Sequence, residues 1–342
     1  VPSHKNPFDC GQRAAVVVTR GSLVESQHFL CYALVDAAGA IIDSRGDIER
    51  PVYLRSSAKP LICTAVVASG AADRFKFSET EIALAAASHS GEPMHIAGVR
   101  AMLQKIGLEE SALQCGAHAP SHEPSARALC AAGLLPQAIH NNCSGKHAGI
   151  LALALHLDAD YRSYLSPENP AQVTILQTCA SLLDVPRADL VIGVDGCGIP
   201  VIAVPMKTAA RFFARLSKLD YFPEHYRDAL RRVCAAMQAH PEYVAGSGRF
   251  DTDLMLATRP DIVCKGGAEG YHATALLRHG LGLTVKVADG NYRAISPFVL
   301  ARLQREGALS DAALERLAKH RRPTIRNYAG TIVGEIDLAA QE

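Results

Sequence analysis

The hydrophobic period of this chain changes twice along its length, and that change limits the folds open to it. Near the N-terminus short apolar runs alternate with turn residues: Ala15 to Arg20, then Phe29 to Val35 and Ala40 to Ser44 around Asp36-Ala37-Ala38-Gly39. Such runs read as strands, the last two as a hairpin. From Ser57 the spacing becomes helical, with segments over 57–70, 78–87, 94–106, 125–132, 146–156 and after Pro170. Ser78-Glu79-Thr80-Glu81 has the form of a capping box. A strand over 190–195 and helices over 205–218 and 223–239 follow. Strand patterning then returns over 262–265, 271–277 and 283–288, and near 331–338 after a helix at 296–306. Strands at both ends of a helical middle predict an α+β fold, a mainly antiparallel sheet with an inserted all-helical subdomain. The sheet with flanking helices is expected from 1–55 and 255–342 and the helical part from 56–254, the whole forming one compact unit. Pro120–Pro124 and Gly246–Asp253 are expected as mobile loops.

Charge and composition exclude several function classes. Lys+Arg 35 against Asp+Glu 34 leaves +1, which gives no electrostatic footing for nucleic acid or an anionic membrane. No apolar run approaches the roughly 18 residues needed to cross a bilayer. The first residues lack an apolar signal core. Ten cysteines (Cys10, Cys31, Cys63, Cys115, Cys130, Cys143, Cys179, Cys197, Cys234 and Cys264) are scattered without a C-x-x-C pair. Most stand in apolar contexts that suit buried reduced thiols, so a reducing, cytoplasmic setting is expected. Cys143 and Cys197 differ, because each lies in a polar, glycine-containing turn sequence.

Five polar segments carry the chemistry. In Arg55-Ser56-Ser57-Ala58-Lys59-Pro60 a serine hydroxyl precedes a lysine amine by three residues, close enough on one helix face to meet. A neutral lysine is a competent base for a serine nucleophile. The same string also reads as a plain helix start, with a serine cap and a solvated lysine. Ala87-Ser88-His89-Ser90-Gly91-Glu92 is either an active-site turn or a helix C-cap with Gly91 left-handed. The segment from His140 to His147 (H-N-N-C-S-G-K-H) is dense in donors and possible metal ligands, or is an N-cap made by Asn142 or Ser144. Asp195-Gly196-Cys197-Gly198 ends a strand, and Cys264-Lys265-Gly266-Gly267 allows a ligand close to backbone or forms an edge bulge.

Taken in order, R-S-S-A-K-P, S-H-S-G-E, H-N-N-C-S-G-K-H, D-G-C-G-I-P and C-K-G-G-A-E-G resemble the motifs of the thermolabile, Rhizobium-type L-asparaginases. The resemblance implies a serine β-lactamase and penicillin-binding-protein-like fold and hydrolysis of L-asparagine to L-aspartate and ammonia through an acyl-enzyme. It implies two Ser-Lys couples in one pocket, Ser56 with Lys59 and Ser88 with Lys265, with Ser56 as nucleophile and Lys59 as its base. Arg55 and Asp195 are then partners for the substrate's α-carboxylate and α-amine, with His147 as a further polar contact. It also implies one zinc ion held by Cys143, Lys146 and Cys197, and a homodimer. A lysine serving as base has to fall from about 10.4 toward 7, a shift of roughly 4–5 kcal/mol, which burial and a second ammonium both favour. The late K-G-G differs from the K-T-G of β-lactamases, and no S-D-N string is present, so β-lactam hydrolysis fits poorly. Glutaminase or other ω-amidase activity on the same scaffold, and a non-catalytic amino-acid sensor, are the alternatives.

Overall fold

In the computed structural model residues 13–340 are described, and Cys10 lies outside them. Their contacts divide into two units. The first comprises the chain up to Val52, Val204–Lys218 and Asp253 onward; the second comprises Tyr53–Ala203 and Leu219–Thr252. Residues 204–218 thus join the sheet unit, although the sequence pattern sets them in the helical stretch.

The first unit holds two antiparallel sheets. Its strands are β1 (Val16–Arg20), β2 (Leu23–His28), β3 (Leu30–Asp36), β4 (Ile41–Arg45), β8 (Ile262–Gly267), β9 (Tyr271–Leu276), β10 (Leu281–Val287), β11 (Thr324–Arg326) and β12 (Ile332–Leu338). The order is β11-β12-β1-β2 in one sheet and β4-β3-β10-β9-β8 in the other. Strands β8 and β9 are buried throughout and β3 and β10 nearly so, which is why they read as unbroken apolar runs rather than alternating ones. The helix Met206–Arg215 packs on β3, β9 and β10. The approach is close enough that a Cβ at Gly282 in β10 would stand 1.9 Å from the Ala210 carbonyl oxygen. Two strands escape the sequence reading for physical reasons. β2 is polar and largely exposed, and β11 has only three residues.

The second unit is helical. The helix Lys59–Ala68 is buried from Lys59 to Val67, and Ser144–His156 is buried from Ser144 to Ala154. A helix apolar on every side belongs inside a bundle. The Lys59 helix packs against Ser144–His156, Pro170–Leu183 and Glu224–Ala239. The predicted capping box exists: the Ser78 hydroxyl accepts from the Glu81 amide, and the Ser78 amide donates to Glu81 Oε2 at 2.7 Å. A hairpin of β6 (Val191–Val194) and β7 (Pro200–Pro205) completes the unit, with the Leu54 amide bonded to the Ile202 carbonyl. The expected loops are shorter than the sequence suggests, because helices begin at Glu123 and Phe250. Among the described residues, no helix is long and apolar enough to cross a membrane.

Gly282→Ala is expected to destabilise the protein by about 2 kcal/mol or more, the cost of overpacking against a fixed backbone. Chemical denaturation followed by circular dichroism measures this as a lower midpoint at an unchanged slope.

Candidate functional site

Four of the five motifs fall in the helical unit, and backbone bonds fasten them to one another. Residues 55–58 form a single 3₁₀ turn that leads into the Lys59 helix, and Arg55 takes a left-handed conformation with φ 50°. That conformation costs a non-glycine residue of order 1–3 kcal/mol and is held only where surroundings enforce it. The Arg55 guanidinium donates through Nε to Asp195 Oδ1 at 2.9 Å, so the first motif is tied to the fourth. The His89 amide donates to the Asn142 carbonyl at 3.1 Å, tying the second to the third.

Lys59 is buried, and its ammonium reaches the Ala87 carbonyl, Ser88 Oγ at 2.7 Å and Cys143 Sγ at 3.3 Å. The local i,i+3 pairing expected from the sequence therefore gives way to a long-range one, with Ser88 in place of Ser56. The Ala87 carbonyl and Ser88 stand just past the helix Glu79–Ala85 and its C-cap Ala86, and the four-carbon stem of lysine reaches across to them. Among the described residues, the half-buried Ser56 hydroxyl makes no hydrogen bond.

The second lysine, Lys146, is also buried and lies 2.9 Å from Cys197 Sγ. Cys143 Sγ donates to Asn142 Oδ1 at 3.1 Å, and Cys197 Sγ lies 3.8 Å from Asp195 Oδ2. The neighbouring Cys197 thiol, with Lys146 and Lys59, outweighs burial and eases the ionisation of Cys143, while the Cys143 thiol and burial hold the proton on Cys197. Despite burial, Lys146 stays protonated to higher pH than usual, because the thiols and Asp195 hold its charge. Burial alone would raise the Asp195 carboxyl, but Lys146 and Arg55 outweigh it and keep it low. By contrast, burial pushes the thiols of Cys63, Cys179 and Cys234 up to about 12, as suits inert packing. Arg55, Lys59, Lys146 and Asp195 open onto a cavity of about 20 Å³ whose far wall is Ile62, Ile175, Leu176 and Ile202. That volume holds about one water.

The remaining residues of these motifs are supports. Glu92 accepts from the Ser90 hydroxyl at 2.7 Å and from the Ser247 amide and hydroxyl at 2.8 and 2.7 Å. Its own amide donates to His95 Nδ1 at 3.0 Å. The N-cap before Ser144–His156 is Cys143 itself, with no side-chain cap bond, and Asn141 Oδ1 receives the Cys143 amide at 2.8 Å. Gly145 has a steric role, since a Cβ there would lie 2.4 Å from the Leu84 carbonyl oxygen. His147 is fully buried on this helix. Lys265 stands in β8 of the sheet unit, buried, with its ammonium on the Gly266 carbonyl at 2.9 Å and in register with Ala273.

The family model for L-asparaginase II matches residues 16–338. The chain belongs to the L-asparaginase II family. It is accordingly an amidohydrolase of mixed helix and antiparallel sheet. Among curated proteins, nothing matches. Similar solved structures include Mglu, with TM-score 0.36 and 18% identity over 89% of this chain and 71% of that one. A β-lactamase from Mycobacterium bovis gives 0.39 and 12% over 85% and 95%. A Bacillus glutaminase gives 0.35 and 14% over 82% and 92%. Four of the five motifs share one helical unit.

Glu92 supplies a pH test of that framework. Burial raises its carboxyl, but the Ser90 and Ser247 hydrogen bonds outweigh burial and leave it below the ordinary value. A lowered folded value means the contribution is complete above the unfolded carboxyl's titration, near pH 4.3, and is lost as pH falls through the folded one. Thermal unfolding midpoints measured between about pH 6 and pH 3 are expected to fall in the wild type. Glu92→Gln is expected to start lower and to show a shallower fall.

Proposed function

We propose that this amidohydrolase converts L-asparagine to L-aspartate and ammonia with a serine nucleophile and a lysine proton carrier. The observation that carries the reading is the buried Lys59 Nζ at 2.7 Å from Ser88 Oγ, directly after the turn that presents Ser56. A nucleophile needs a base within reach, and a base needs a third group to orient it. Ser56 attacks the side-chain amide carbon, and its proton passes to the neutral amine of Lys59. Ser88 orients that amine and relays the proton to the leaving nitrogen, so that the C–N bond breaks and ammonia departs. Water then enters by the same route in reverse: it gives a proton to Lys59, attacks the ester carbon, and the Ser56 oxygen leaves with a proton returned.

The Arg55–Asp195 ion pair supports an amino-acid substrate. A zwitterion carries one ammonium and one carboxylate, so it can replace the pair with two new ones, Arg55 to its α-carboxylate and Asp195 to its α-amine. The small cavity beside the pair is the space that opens when these side chains separate.

The donor chemistry of Cys143, Lys146 and Cys197 fits zinc: two thiols and an amine, all buried from bulk water, with Lys146 Nζ 2.9 Å from Cys197 Sγ. We propose that these three residues hold one ion, which when bound polarises a ligand oxygen and anchors the substrate pocket. Lys146 and both thiols would have to give up their protons to ligate, and the two thiolates would then balance the charge of the ion.

Ammonia release from L-asparagine and L-glutamine, compared as kcat/KM, tests the substrate. Asparagine is expected to be preferred by about 10-fold or more, the scale one methylene sets in a pocket. Equal or reversed values favour the ω-amidase alternative. Absence of turnover in wild type with bound aspartate favours a sensor. Ser56→Ala is expected to lose acylation by about 10³-fold or more and Ser88→Ala by about 10–10²-fold. The reverse order would exchange their roles. For the metal, elemental analysis is expected to give one zinc per chain in the wild type and little in Cys143→Ser or Cys197→Ser.

A further inference from the structure

Tyr164 lies outside all five motifs, in the turn after the 3₁₀ segment Tyr161–Ser163, and its side chain is fully buried. Its hydroxyl receives the backbone amide of Gln114 at 2.8 Å and lies 2.7 Å from His147 Nδ1. The two rings meet edge to face at 5.5 Å. A phenol oxygen that already accepts from Gln114 has one proton to give, and burial keeps that proton on it by raising its titration. The direction of the second bond follows: Tyr164 donates and Nδ1 accepts. Neutral imidazole with an accepting Nδ1 carries its hydrogen on Nε2. The Nε2–H it must then carry is buried and has no hydrogen-bond partner.

An unpaired buried donor is costly, so a protein that fixes one in place leaves a site for an acceptor. We propose that Tyr164 is a positioning residue that locks His147 in the Nε2–H tautomer, so that His147 donates to an acceptor oxygen, carbonyl or carboxylate, of the amide substrate. The inference deepens the amidohydrolase reading and rests on it for the identity of the ligand. The tautomer itself does not depend on that reading. With the opposite tautomer the same ring would present a lone pair and recognise an ammonium or amide N–H instead. Of the two partners of the hydroxyl, the Gln114 amide can only donate, which leaves Nδ1 to take the phenol proton.

Three measurements on the full chain test this. Long-range proton–nitrogen NMR of histidine-labelled wild type is expected to show His147 with its hydrogen on Nε2, an assignment fixed by comparison with His147→Asn. A hydrogen on Nδ1 overturns the proposal whatever the enzyme's activity. Titration with L-aspartate is expected to shift the His147 Nε2–H resonance, and an unmoved resonance under saturating aspartate overturns the substrate contact. Tyr164→Phe, which keeps the ring and removes only the hydroxyl, is expected to mix the two tautomers and to raise KM for L-asparagine about tenfold with kcat within about threefold. Equal losses in kcat and stability with an unmixed tautomer would mark Tyr164 as packing alone. If wild type releases no ammonia, the NMR outcomes still decide the tautomer, so failure of the amidase reading and failure of this one are separate results.

Discussion

A buried ammonium has to be given anions or acceptors by its surroundings, and in the helical unit that requirement is imposed twice. Lys59 opens one interior helix and Lys146 stands in the first turn of another, each almost without solvent contact. The start of a helix is an unfavourable place for a cation, because the unpaired amides there carry partial positive charge. Each lysine therefore extends away from its own helix to partners elsewhere. Lys59 takes the Ala87 carbonyl and Ser88, and Lys146 takes Cys197. These reaches connect the motifs. The first is tied to the second through Lys59 and to the fourth through Arg55 and Asp195, while the third is tied to the fourth through Lys146 and Cys197.

The same economy explains why reactive and inert cysteines coexist in one chain. Cys179 borders the small cavity, yet burial holds its thiol at about 12. Cys143 is as thoroughly buried and ionises far more readily. The difference is made by neighbours: a thiol donor and two ammoniums at Cys143, and none of these in the environment that sets Cys179. Position on the surface would not separate the two residues, whereas local charge does.

How much of this was legible in the sequence depends on how local the deciding interaction is. The Ser78 capping box is written within four residues and was readable from them, as were the long buried helices and the apolar strands β3, β9 and β10. The partner of Lys59 was not, because i,i+3 spacing reports what a side chain can reach along its own turn and says nothing of a carbonyl 28 residues away. Gly145 offered no signal, since the clash it avoids is with Leu84 on another helix. The glycines at 246 and 248 suggested a long loop, and the helix that begins at Phe250 follows directly behind them. Tyr164 was invisible for the same reason as the pairing of Lys59: its meaning comes from an amide 50 residues earlier and a ring 17 residues before it.

The supports also explain why the second motif needs more than its serine. Ser88 has to meet Lys59 with its hydroxyl while its amide is bonded to the Val244 carbonyl, and His89 is pinned by Asn142. Gly91 follows with φ 74°, where a Cβ would come within 2.9 Å of Pro120. The chain is thereby turned so that Glu92 meets Ser247 and closes the loop on itself. An alanine at 91 would be strained by its own backbone and by that contact at once, whereas an alanine at 90 would remove a single hydrogen bond to Glu92. The motif is therefore best understood as one hydroxyl aimed at one amine, held there by four residues whose side chains and conformations do no chemistry.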